Sequence, residues 1–300
     1  MEDLAKQFDI TDEGNINEYL GVKVTKLPDC TITLTQPHLI DSIIADLGFK
    51  ENTKGKATPA PSTASINRDL NGPPHAESWE YRSVIGKLNF LEKSTRPDIA
   101  FAVHLCARYS SNPKEIHSAA VRYIVRYFLA RRDKGLILKP NDHSFDCYAN
   151  ADFQGGWDIN TATEDSTAAK SRTAYLVMYA GCPIVWASNL QTEITLSTTE
   201  SKYSALSEAT REVLWLMGLT NEVKERLVPG SINIPTIKYT IFEDNEGAKA
   251  MATVPKMRPR TKHINGRMHL FRSAVASRKL KIESINTEDQ LAAERKEIMG

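Results

Sequence analysis

The stretch SFDCYANAD, residues 144–152, alternates in the period of two that a half-buried strand requires. Phe145, Cys147, Ala149 and Ala151 fall on one face, leaving Asp152 on the other with Tyr148 and Asn150. Working downstream, TAYLVMYA (173–180) and PIVWAS (183–188) flank the turn signal Gly181-Cys182-Pro183, and EITLS (193–197) leads into a helix predicted from about Thr198 to Gly218. IKYTIFED (237–244) reads as a strand, EGAKAMA (246–252) as a short helix and TKHINGRMHLFRSAVASR (261–278) as a longer one. LKIESIN (280–286) is a last strand and EDQLAAERKEIM (288–299) a terminal helix. The order βββαβα, an added helix, then βα, predicts a mixed sheet with helices packed on it.

Upstream the pattern differs. YLGVKV and TITLTQ read as a strand pair, followed by an amphipathic helix with Leu39, Ile43, Ile44 and Leu47 at helical spacing and Gly48 closing it. From Glu51 to Glu77 the chain turns to Pro, Ser, Thr, Asn and Gly without apolar periodicity, which predicts a surface linker or long loop. Helices resume with YRSVIGKLNFLEKS, with RPDIAFAVHLCARYSS, whose Pro97 suits a first helical turn, and with the run from Pro113 to Arg132. In that last helix Ile116, Ala120, Ile124 and Tyr127 are expected to face inward. Arg122 and Arg126 share another face, open to a phosphate backbone or to solvent.

Three hundred residues of ordinary apolar and charged content set the scale at about two domains. No stretch approaches the roughly 18 apolar residues of a membrane span, and the opening residues lack a secretory pattern. The expected setting is therefore intracellular, cytoplasmic or nuclear, with no membrane partner. Cys30, Cys106, Cys147 and Cys182 are too scattered for a zinc site or a disulfide framework and are expected to be small buried hydrophobes. Net charge is only +1, but Lys256, Arg258, Arg260, Lys262, Arg267, Arg272, Arg278, Lys279 and Lys281 follow one another with no Asp or Glu among them. That run can track a phosphate backbone or form a solvated helix face.

Three carboxylates stand at structural junctions: Asp152 at a strand end, Glu200 in a first helical turn and Asp244 at a strand end before a helix. Each has a local explanation. Asp152 precedes the Gln154-Gly155-Gly156 turn, Ser197-x-x-Glu200 is a capping-box pattern, and Asp244 suits an N-cap. Their co-occurrence suits a two-metal centre for in-line phosphodiester cleavage, which needs hard oxygen ligands on two divalent ions.

The segments YRSVIGKLNFL, STRPDIAFAV, HSAAVRYIVRYF, YANADFQGGW, KSRTAYLVMYAGCPIVWASNLQTEITLSTTESKYSALSEATREVLWL, EDNEGAKAM, RTKHINGRMHLFR and EDQLA, in that order, resemble copia-type retrotransposon Pol polyproteins over nearly the whole chain. The resemblance implies an α/β ribonuclease H-like domain with a mixed five-stranded sheet over 141–300. Before it would come an α+β portion: the end of a reverse-transcriptase palm-like segment over 1–50, a linker over 51–78, and a helical thumb or connection-like segment over 79–140. It implies Asp152, Glu200 and Asp244 as catalytic metal ligands for two Mg2+ or Mn2+ ions, hydrolysing the RNA strand of an RNA–DNA hybrid. Lys262, His263 and Arg267 are implied as backbone contacts, and a full-length Pol or reverse transcriptase as a partner.

Two departures stand out. No Asp-Asp dipeptide occurs, so the polymerase aspartate pair of the family is absent from this polypeptide. Where the family has a fourth active-site aspartate, in DQLAD, this chain has Ala293; Glu294 is offset by about 100° on a helix and Asp289, a turn earlier, is a weaker candidate ligand. A catalytically silent relic, a nucleic-acid-binding module or an accessory to a polymerase supplied in trans is the alternative to a nuclease.

Overall fold

The computed structural model describes residues 14–50, 52–61, 66–157, 165–227, 237–253, 272–277 and 279–292. Lys262, His263 and Arg267, Ala293 and Glu294, most of the basic run and most of the predicted terminal helix lie outside them.

The first sheet begins with a departure from the expected single strand YLGVKV. Leu20 and Gly21 both take positive φ, 50° and 75°, so Glu18–Tyr19 (β1) folds back on Val22–Lys26 (β2) in a two-residue hairpin. Ile32–Thr35 (β3) pairs antiparallel with β2. Pro37–Asp46 (α1) follows, ended by Gly48 at φ 62° as its sequence predicts. Tyr81–Ser94 (α2), a 3-10 turn at Pro97–Ile99, Ala100–Ala107 (α3) and Glu115–Arg131 (α4) form the helical layer. The chain then returns to the first sheet: Leu136–Leu138 (β4) pairs with β3, so the chain before and after the helices shares one sheet.

The first core lies among these four helices, with Ile40, Leu88, Leu91, Val103, Val121, Ile124 and Phe128 essentially inaccessible. In α4 Ile124 and Tyr127 are buried as expected, together with His117, Val121, Val125 and Phe128, while Ala120 is half-buried and Ile116 exposed. Residues 52–80 have no regular helix or strand in their described part, yet they are strapped to the helices. The Lys56 N–H donates to Arg126 O at 3.0 Å, Tyr109 Oη to Ile66 O at 2.9 Å, and Arg126 Nε to Lys54 O at 2.8 Å. Arg122 donates to Leu47 O and Glu77, so both arginines fasten this strap. Backbone groups without a sheet or helix of their own must find partners, and the helix layer supplies them.

His117 illustrates the strap's chemistry. The Lys114 N–H donates to its Nδ1 at 2.8 Å, its Nε2–H donates to Asn67 O at 2.8 Å, and its ring stacks on Tyr109 at 4.1 Å. Nδ1 must therefore be bare, and burial lowers the imidazole from its ordinary 6.5. Below about pH 6.5 the unfolded chain takes up a proton that the folded one resists, so stability should fall on acidification by up to about 1.4 kcal/mol per pH unit until the folded value is reached. Urea titrations at pH 5.0, 6.0 and 7.5 should show that slope diminished in His117→Gln.

Ser144–Asp152 (β5), Arg172–Tyr179 (β6) and Cys182–Leu190 (β7) form an antiparallel set, with β6 and β7 joined by Ala180 and Gly181 at φ 53° and 78°. The turn is thus one residue earlier than its expected signal, and Pro183 lies inside β7 beside an irregularity at Val177/Met178. Thr198–Leu227 (α5) is nine residues longer than expected at its C-terminal end. Lys238–Glu243 (β8) lies parallel to β5, Glu246–Thr253 (α6) follows, and Lys281–Ser284 (β9) lies parallel to β8. The five-stranded order is β7-β6-β5-β8-β9.

Its core unites Phe145, Cys147 and Ala149 of β5 with Tyr203, Leu206, Ala209 and Val213 of α5 and Ile241 of β8. Cys106, Cys147 and Cys182 are buried as expected, whereas Cys30 is exposed. The two halves touch directly: Trp186 Nε1 donates to Glu92 O at 3.0 Å, and the Arg172 guanidinium lies 5.4 Å from the Phe101 ring centre. No described helix is long and apolar enough to cross a membrane.

Candidate functional site

The strand alternation puts Asn150 and Asp152 in the same row of β5, as read from the sequence. Register then separates them. β5 and β8 pair in parallel as far as Tyr148 and Phe242; Asn150 stands two residues farther along β5, and Asp244 just past the end of β8. Asp152 lies two residues beyond Asn150, about 6.6 Å farther along its strand.

Each expected ligand has partners. The Asp152 carboxylate accepts from the Arg172 N–H and from Gly155, whose lack of a side chain permits that approach: a Cβ there would lie 2.4 Å from Asp152 Oδ2. Burial raises the Asp152 carboxyl above its ordinary value, against the lowering pull of those donors and the Arg172 guanidinium. Glu200 Oε2 accepts from the Leu196 N–H at 2.9 Å, just before the helix, while Ser197 Oγ caps the helix by accepting from the Glu200 N–H at 3.2 Å.

Asp244 is not the N-cap of α6. Asn245 does that, its Oδ1 accepting from the Ala248 N–H at 2.8 Å. Instead Asp244, with only 4% of its side chain exposed, forms an ion pair through Oδ1 with Lys202 Nζ and accepts through Oδ2 from Thr287 Oγ1 at 3.1 Å. Lys202 also donates to Asn150 Oδ1 at 2.7 Å. The neighbouring Glu243 is buried, with Oε1 accepting from the Asn245 N–H at 3.1 Å, and burial pushes its carboxyl up to about 8.

Asp289 ends a 3-10 turn, Thr287–Asp289, rather than standing on a helix; Gln290 is already extended. Asp289 lines a polar cleft of about 460 Å³ with Asp244, Glu246, Ser284 and Thr287. Gln290, to which the sequence reading assigned no role, is inaccessible and staples the sheet: its Nε2 donates to Ala149 O at 3.0 Å and Phe242 O at 3.4 Å. Its signal was weak, one polar residue beside another in DQLA.

The residues as placed do not fit a pair of magnesium ions. Asp244 carries an ammonium, Asp152 and Glu200 accept backbone N–H bonds, and the other acceptor on that ammonium is an amide, Asn150. Among the described residues no three His, Cys, Asp or Glu side chains converge as ligands.

A mixed sheet of order β7-β6-β5-β8-β9, crossed by one long helix, makes this a ribonuclease H-like protein. No protein-family model matches the chain. It is 29% identical over 296 residues to the retrovirus-related Pol polyprotein of transposon TNT 1-94 from Nicotiana tabacum, covering 97% of this chain and 21% of that protein. Those of transposons RE1 and RE2 from Arabidopsis thaliana are 29% and 27% identical, each over 97% of this chain and 19% of the relative. The chain belongs to the copia-type retrotransposon Pol family. It spans about a fifth of the length of these relatives.

Proposed function

We propose that this Pol region binds RNA–DNA hybrids through its ribonuclease H-like half and does not cut them, acting as a relic or as an accessory to a longer Pol product. The observation that carries the reading is the separate engagement of Asp152, Glu200 and Asp244: two accept backbone N–H bonds and the third holds an ammonium. Two-metal hydrolysis requires carboxylates that share ions, one activating water and one holding the leaving oxygen. Affinity would come from cations on phosphates, the Lys256–Lys281 run with Lys262, His263 and Arg267 supplying them, and selectivity from 2′-hydroxyls on one strand. A working nuclease is the second reading, favoured by the parallel pairing of β5, which carries Asp152, with β8, which Asp244 directly follows.

The test is a hybrid labelled on its RNA strand, incubated with magnesium, manganese or chelator beside an Asp244→Asn control. Binding that persists in chelator, falls by orders of magnitude between about 50 and 200 mM salt, and leaves the RNA intact is the expected result. Metal-dependent cutting abolished by Asp244→Asn, or failure to bind hybrid at low salt, overturns the proposal.

A further inference from the structure

We infer that the Lys202 ammonium is a built-in cation that occupies the position of a divalent ion between β5 and β8 and sets the metal affinity of this centre. Three observations meet at one atom. Lys202 Nζ donates to Asn150 Oδ1 at 2.7 Å and pairs with Asp244 Oδ1, so one ammonium joins a residue of β5 to the residue that follows the parallel strand β8. Neither partner is free in solvent, with 12% of the Lys202 side chain and 4% of the Asp244 side chain exposed. The acceptors also match the charge of their guest: one carboxylate and one neutral amide sum to −1, which a single ammonium neutralises.

A divalent ion arriving here must displace an ammonium that has little water to retreat into, leaving a buried charge unpaired. It would gain one formal negative ligand where hard-cation sites tune affinity by carboxylate count. The ammonium also does structural work that a metal would otherwise do. It ties the second turn of α5 to Asn150 of β5 and to Asp244 after β8, 52 and 42 residues away in sequence, without dependence on cation supply.

This deepens the reading of a silent centre and rests on it, but its test uses neither nucleic acid nor catalysis. Manganese binding to the purified chain is followed by electron spin resonance of the free ion, for wild type, Lys202→Gln, the pair Lys202→Gln with Asn150→Asp, and that pair carrying Asp244→Asn. Circular dichroism establishes that each variant is folded; any that is not is replaced by its Lys202→Met counterpart. Wild type should bind weakly, and the Lys202→Gln/Asn150→Asp pair should bind at least about tenfold more tightly, in line with its higher carboxylate count. Adding Asp244→Asn should return affinity to the wild-type level. Wild-type binding as tight as the pair's, or a folded pair that gains nothing, overturns the inference. Loss of hybrid binding in the preceding assay would overturn the proposed function and leave this result untouched.

Discussion

Replacing Arg96 with alanine is expected to remove about 3–5 kcal/mol of folding stability, the range found when one partner of a buried ion pair is deleted. The side chain is wholly inaccessible. Its Nε and Nη2 donate to Asp98 Oδ1 and Oδ2 at 3.0 and 2.8 Å, and its Nη1 donates to Arg131 O at 3.0 Å. The guanidinium also lies 5.0 Å from the Phe128 ring centre and 5.4 Å from that of Tyr127. Deletion would leave Asp98, 5% exposed, with Tyr127 Oη as its remaining strong donor at 2.7 Å. Lysine should not rescue, because an ammonium cannot reproduce the planar fork that meets both carboxylate oxygens and a carbonyl at once. Urea midpoints at constant slope for wild type, Arg96→Ala, Arg96→Lys and Arg96→Ala/Asp98→Ala would decide it. The double variant should recover part of the loss, since it no longer buries an orphaned carboxylate; an Arg96→Ala loss below about 1 kcal/mol, the range of an exposed ion pair, would refute the argument.

The second large effect is expected at Leu206→Ala, about 2–5 kcal/mol. Leu206 is inaccessible on α5, in the core with Ala149, Val177, Ala209 and Ile241. Several of those neighbours are alanines, with no side-chain length to swing into a vacated space, and the strands behind them are held by ladder pairing on both sides of β5. The cavity should therefore stay open, which places the loss in the upper part of that range. Lys202 stands one turn earlier on the same helix, so the variant should also lower the manganese discrimination described above by loosening α5 against β5. Denaturant titration checks the first claim, and a loss under about 1 kcal/mol would show that the core relaxes.

Much of the architecture was legible in single-residue patterns. The alternation of 144–152 named both the strand and its buried row, because a half-buried strand imposes a period of two whatever it pairs with. Tyr81–Ser94 was read to the residue and α1 to its closing glycine, since amphipathic spacing and Gly48 act locally. Errors collected where local rules gave way to partners. YLGVKV looked like one strand because apolar alternation does not reveal that Leu20 takes a positive φ. The stretch from Glu51 to Glu77, expected as a surface linker or long loop, has no regular helix or strand in its described part, but composition does not record the hydrogen bonds that tie it to α4. In α4 Ile124 and Tyr127 face inward as expected, but Ile116 is exposed and His117, polar in sequence, is buried beneath a strap whose position no periodicity announces.

The candidate site divides along the same line. By itself the sequence determined the fold class, the strand ends and helix start that carry Asp152, Glu200 and Asp244, and membership of a family whose segments it repeats in order. Only the tertiary structure decided which of these groups meet. A period-two pattern names a face but not a register, and a shift of two residues preserves every buried side chain while moving a carboxylate by about 6.6 Å. That freedom is settled by the parallel pairing of β5 with β8 as far as Tyr148 and Phe242, beyond which Asn150 and Asp244 both meet the Lys202 ammonium.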